Sequence, residues 1–136
     1  MAYTYPVFNV PGLTAAADYQ TTSKQYYCVK KNTTDNQVAL CTTDGEVFDG
    51  VLQNDPASGD AAEVMASGVS KVYAGETLTA GDRWGTNSSG KAKKISEDLT
   101  GSDPGDFVMG VVIEGAATNA LATVTVGVTT YRKGAD

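Results

Sequence analysis

Residues 122–128 read ATVTVGV. On an extended chain Val124, Val126 and Val128 fall on one side, and Thr123, Thr125 and Gly127 on the other. That period of two is the mark of a strand with one face toward a core. A second segment lies just upstream, FVMGVVIE at 107–114, with the apolar length of a buried strand. The connecting GAATNA at 115–120 predicts that the two pair as a central hairpin.

Outward from that hairpin the pattern repeats. Strands are predicted over 26–30, 37–41, 47–53, 63–66, 70–73 and 91–96. They are parted by DG at 44–45 and 49–50, NDPASGD at 54–60, AGE at 74–76, AGD at 80–82 and NSSG at 87–90. Short strands at this spacing, with Gly-rich turns, predict an all-β domain, a compact barrel or sandwich. No window holds the i, i+3, i+4 apolar spacing of a helix. The 136 residues suit one domain. Residues 1–25 read as an extended N-terminal arm and 26–136 as a single all-β body. Pro6 and Pro11 hold the residues before them extended. Tyr3, Tyr5, Val7 and Phe8 make the arm too apolar for a disordered tail. It reads as a strap, laid either on its own domain as an edge strand or on a neighbouring subunit or partner. TAAAD at 14–18 is predicted to form one helical turn capped by Thr14.

Composition narrows the function. The chain has no histidine. A Ser-His-Asp triad, a Cys-His nucleophile and an HExxH zinc site are therefore excluded. A net charge of −6, from 10 basic and 16 acidic residues, argues against nucleic acid as a partner. No run reaches the roughly 20 apolar residues that span a bilayer, so no membrane is expected. The N-terminal MAYTYPVFNV lacks the basic and apolar regions of a secretory signal. No Gly-rich stretch has the order of a phosphate loop. The expectation is a protein that is not an enzyme and needs no cofactor or metal.

The remaining candidates are few. With the loop KNTTDN at 31–36 as centre, Val29 is predicted to face Val38 and Cys28 to face Ala39. Cys28 and Cys41 then sit diagonally, about 7–8 Å apart, and read as buried free thiols. A register shifted by two is the alternative that permits a disulfide. Asp98, Asp103 and Asp106 crowd one loop without the ligand spacing of a calcium site and read as solvated. Lys91, Lys93 and Lys94 read as an edge strand that deters sheet-to-sheet pairing, with an acidic partner as the alternative. Trp84, in GDRWGTN, reads as a core anchor beside a turn, with a contact hot spot as the second reading.

Four segments carry a resemblance: FNVPGLTAAAD at 8–18, GVLQNDPASGDAAEV at 50–64, GVSKVYAGETLTAGD at 68–82 and GTNSSGKAKK at 85–94. Together they resemble the capsid decoration, or cement, proteins of tailed bacteriophages and their head-protein relatives. The resemblance implies an all-β structural virion protein, often a homotrimer, that binds the outside of an assembled capsid and stabilises the head. Its partners would be the major capsid protein and copies of itself. It would reside on the capsid exterior, after assembly in the bacterial host cytoplasm. The arm residues Tyr3, Tyr5, Val7 and Phe8, with Trp84, are the candidate interface. The alternatives are a head-fibre base, a tail-tube subunit or a small β-barrel ligand-binding module.

Overall fold

The computed structural model describes residues 2–95, 106–127 and 130–132. Asp98, Asp103, Val128 and residues 133–136 lie outside them. Among the described residues the fold is all-β, as expected. The strands are β1 (Tyr5–Val10), β2 (Thr14–Ala15), β3 (Cys28–Lys31), β4 (Gln37–Leu40), β5 (Gly50–Leu52) and β6 (Val64–Tyr73). They continue as β7 (Arg83–Thr86), β8 (Ala92–Lys94), β9 (Asp106–Val108), β10 (Gly110–Glu114), β11 (Leu121–Val126) and β12 (Thr130–Arg132).

One sheet runs β2-β4-β3-β5-β6-β11-β10-β7-β8, with β1 also paired to β6, while β9 and β12 pair separately. The sheet rolls back on itself. Near its far end Gly90 accepts the Cys28 N–H at 2.7 Å, and Ala92 accepts the Gly75 N–H at 2.7 Å. The expected hairpin forms, with Val112 opposite Val124. Ala122, Val124 and Val126 point inward and are buried, as the alternation predicts.

Two cores result. The larger gathers Cys28, Phe48, Val51, Met65, Val72, Trp84, Val112 and Val124 among others. The smaller holds Leu13, Ala15, Tyr19, Val29, Val38, Leu52, Ala62 and Val64. Neighbouring residues Cys28 and Val29, Val51 and Leu52, and Val64 and Met65 enter opposite cores. These strands are therefore covered on both faces, which is why GVL at 50–52 is apolar without alternation.

Several expectations are corrected. Predicted strands 63–66 and 70–73 are one strand, β6, carried through Gly68 at φ +135. TAAAD forms no helical turn: Thr14 and Ala15 pair in parallel with Gln37 and Val38. Burial of Ala15 in the smaller core outweighs a single turn, which is unstable alone. The segment 107–114 is not one buried strand but β9 and β10, separated at Met109, with Val111 and Ile113 exposed. The β3–β4 register is shifted by two, with Val29 opposite Leu40. Asn32 N–H donates to Gln37 O at 2.8 Å and Asn36 takes φ 57, so the turn closes further along than its sequence centre suggests.

Candidate functional site

The arm divides into two parts. Leu13, Ala15 and Tyr19 are buried in the smaller core. Upstream of them, β1 lies antiparallel to β6, with Tyr5 opposite Val69, Pro6 opposite Gly68 and Phe8 opposite Ser67. The ladder is irregular around Val7 and again between Phe8 and Asn9. Gly68 permits the approach: a Cβ there would stand 2.5 Å from Tyr5 O and 2.8 Å from Val7 N. At the arm's start, Tyr3 N–H donates to the buried Thr123 Oγ1 at 3.1 Å.

The backbone of β1 is thus committed to its own domain, while its side chains are not. Tyr5 and Val7 are each 70% exposed and Phe8 is 53% exposed, with Tyr3 also exposed. Only Val10, at the end of β1, packs against the smaller core, so folding gives no reason for Tyr5, Val7 and Phe8 to be aromatic and aliphatic. Large apolar side chains exposed in one short segment point to an interaction site.

Register extends the surface beyond the arm. Val69 lies opposite both Tyr5 and Thr125, Lys71 opposite Thr123, and Tyr73 opposite Leu121. The intervening Ser70, Val72, Ala122 and Val124 are buried. The outer face of β6, β11 and β10 therefore presents Val69, Lys71, Tyr73, Leu121 and Thr125 beside the exposed Val111 and Ile113. Val111 N–H donates to Thr125 Oγ1 at 2.8 Å, which ties β10 to that face.

Tyr3, Tyr5, Val7 and Phe8 are all exposed along the arm, with Tyr5 in register with Val69 of this face, and Trp84 is not exposed. Trp84 is wholly buried, packs edge-on against Phe48 at 5.7 Å, and donates its Nε1–H to Thr125 O at 2.9 Å. It is a core anchor, and its reading as a contact residue is withdrawn. Val111 and Ile113 were missed because FVMGVVI is apolar at every side-chain-bearing position and shows no alternation.

Elsewhere several charged and polar groups are bonded to one another. Lys93 holds Asp44 at 2.6 Å and Asp106 at 3.1 Å. These two carboxylates raise the Lys93 pKa against the opposing effect of partial burial. An open cleft of about 330 Å³ beside them is lined by Asp44, Gly75, Glu76, Asn87, Lys93 and Lys94. Within it Glu76 accepts the Lys94 N–H, and Asn87 Oδ1 accepts from Ser89 and Lys91. Among the described residues no three His, Cys, Asp or Glu side chains form a metal-holding group.

The fold and its surface define a small rolled β domain with an apolar strap on the outside. No family model matches the sequence, and no curated protein does. Among solved structures the chain is similar to the N base of head fiber gp8.5 in bacteriophage phi29. The two are 20% identical, over 93% of this chain and 94% of that one, with a TM-score of 0.58. At that identity the likeness shows the fold.

Proposed function

We propose that the chain is a structural virion protein of a tailed phage that sits on the outside of the assembled capsid. There it would stabilise the head by bridging capsid subunits. One observation carries the reading: a whole strand, β1, is fastened by its backbone while Tyr5, Val7 and Phe8 stand in solvent. Its activity is contact, with no catalytic role. The partners on this reading are the major capsid protein and further copies of the chain, a trimer being what the family resemblance implies. Stabilisation follows from mass action, since a ligand of the assembled shell alone adds RT ln(1 + [L]/Kd) to its stability.

A second reading is favoured by the fold likeness: the base of a head fibre. Both readings put the protein on the phage head.

The test is to mix purified protein with undecorated heads and image the particles. Wild type is expected to add density over the lattice. The triple variant Tyr5→Ser, Val7→Ser, Phe8→Ser is expected to unfold at nearly the same temperature yet leave heads bare. Normal decoration by the triple variant overturns the assignment of the arm. Density confined to isolated sites selects the fibre base.

A further inference from the structure

We propose that the outer face receives a protein surface that is apolar at its centre and rich in Asp and Glu along one border. That border would meet Lys24, Lys71 and Lys91. The inference rests on the reading of this face as an interface and names the chemistry of its partner.

The lysines among the described residues fall into two groups. Lys30 pairs with Glu46 at 2.7 Å, Lys31 with Asp49 at 3.4 Å, Lys93 with Asp44 and Asp106, and Lys94 with Asp82 at 3.7 Å. Lys24, Lys71 and Lys91 have no carboxylate within 4 Å among the described residues. Scarcity of acids does not explain it, since acidic residues outnumber basic ones 16 to 10.

These three are held against tyrosine rings. Lys24 Nζ stands 4.7 Å from the Tyr27 centroid, Lys91 Nζ 5.9 Å from the same ring, and Lys71 Nζ 5.5 Å from the Tyr26 ring. Tyr27 packs on Tyr73 at 5.5 Å, joining the group. Asn119 Oδ1 accepts a further bond from Lys91 Nζ at 2.6 Å. Cation–π contact and a neutral amide orient an ammonium without cancelling its charge, so the cluster stays electropositive.

Backbone strain is part of the arrangement. Tyr26 takes φ 67, an outlier for a bulky side chain. It is held there by its N–H to Leu52 O at 2.7 Å and by Tyr73 N–H to its own carbonyl at 3.2 Å.

The neighbourhood selects the kind of anion. Lysines already stand over the Tyr26 and Tyr27 rings, which disfavours sugar stacking there. Arginine forks suited to phosphate are absent from the cluster, and the net charge of −6 opposes an extended polyanion. Lys71 and Tyr73 share their face with Val69, Leu121, Val111 and Ile113, so the partner must supply apolar contacts beside its charges. A folded protein surface does both.

The probe is a short labelled peptide of Glu interleaved with Leu, followed by fluorescence anisotropy at low and high salt. Wild type is expected to bind it, and more weakly as salt rises. Lys24→Gln, Lys71→Gln, Lys91→Gln together should weaken binding about tenfold. Lys94→Gln should bind as wild type does. Equal binding by the triple variant, or of the same peptide with Gln for Glu, overturns the inference. So does binding of linear polyphosphate in place of the peptide, which assigns the site to phosphate. The same variants added to undecorated heads separate the two proposals. Salt-insensitive decoration that survives the lysine substitutions sinks the acidic border and leaves the virion reading standing. Lysine-dependent peptide binding without decoration does the reverse.

Discussion

Cys28 and Cys41 are free and buried, and the shifted register sets them across from each other, with Cys41 N–H donating to Cys28 O at 3.1 Å. Burial pushes both thiols up, Cys41 to about 12 and Cys28 well above its ordinary value, with Cys41 adding to the rise at Cys28 and Thr86 opposing it at both. A raised thiol pKa means that the unfolded chain gives up its protons first. Stability is therefore whole below the unfolded value of 9.0 and falls as pH climbs above it. The slope is about 1.4 kcal/mol per pH unit for each thiol. Denaturant titrations at rising alkaline pH should show that loss, and Cys28→Ala with Cys41→Ala should flatten it. At neutral pH neither thiol should alkylate until the protein unfolds. Trp84→Ala should cost about 3–5 kcal/mol, because it empties a core site and leaves Thr125 O without its indole donor. A loss below about 1 kcal/mol in denaturant unfolding would contradict the packing described for it.

Among the elements, β1 depends on the shape of β6. Gly68→Ala would place a methyl group against Tyr5 O and Val7 N in a conformation that side chains rarely adopt. The expected result is a detached β1 on an intact body, seen as fast hydrogen exchange at residues 5–10 with protection kept at β11. Unchanged protection of β1 would show that the ladder tolerates the methyl group. The strands differ in how well their residues announced them. ATVTV at 122–126 declared both strand and inward face, because one side is valine and the other threonine. GVL at 50–52 and FVMGVVI at 107–113 did not, since apolar residues on both sides carry no phase. In the first, two cores explain the pattern; in the second, an exposed interface candidate does. The β3–β4 register was equally hidden, because KNTTDN offers two turn centres and Asn36, which accepts φ 57, selects the later one. RWGT at 83–86 carries no strand signature although it forms β7, being four residues between turn signals.

For the molecule as a whole, the question is whether the arm's surface is enough to hold it on a partner. Covering Tyr5, Val7 and Phe8 removes on the order of 300 Å² of apolar surface. At about 25 cal/mol per Å² that is roughly 7 kcal/mol gross. Association itself costs about 4–15 kcal/mol, so one arm gives marginal binding. Contact by Val111 and Ile113, or several arms acting together in an oligomer, must supply the rest, and linked sites raise avidity about 10²–10⁴-fold. Deletion of residues 1–12 separates holding from folding. Leu13, Ala15 and Tyr19 stay in place, so the smaller core loses only its contact with Val10 and the body should unfold cooperatively. The edge of β6 loses its partner, and unpaired edges invite association. Sedimentation should therefore show a folded domain more prone to self-association than wild type, and head-binding assays should show no decoration. If the shortened chain coats heads as wild type does, the holding surface lies on the β10–β11–β6 face alone, and Val111→Thr with Ile113→Thr becomes the substitution that strips it.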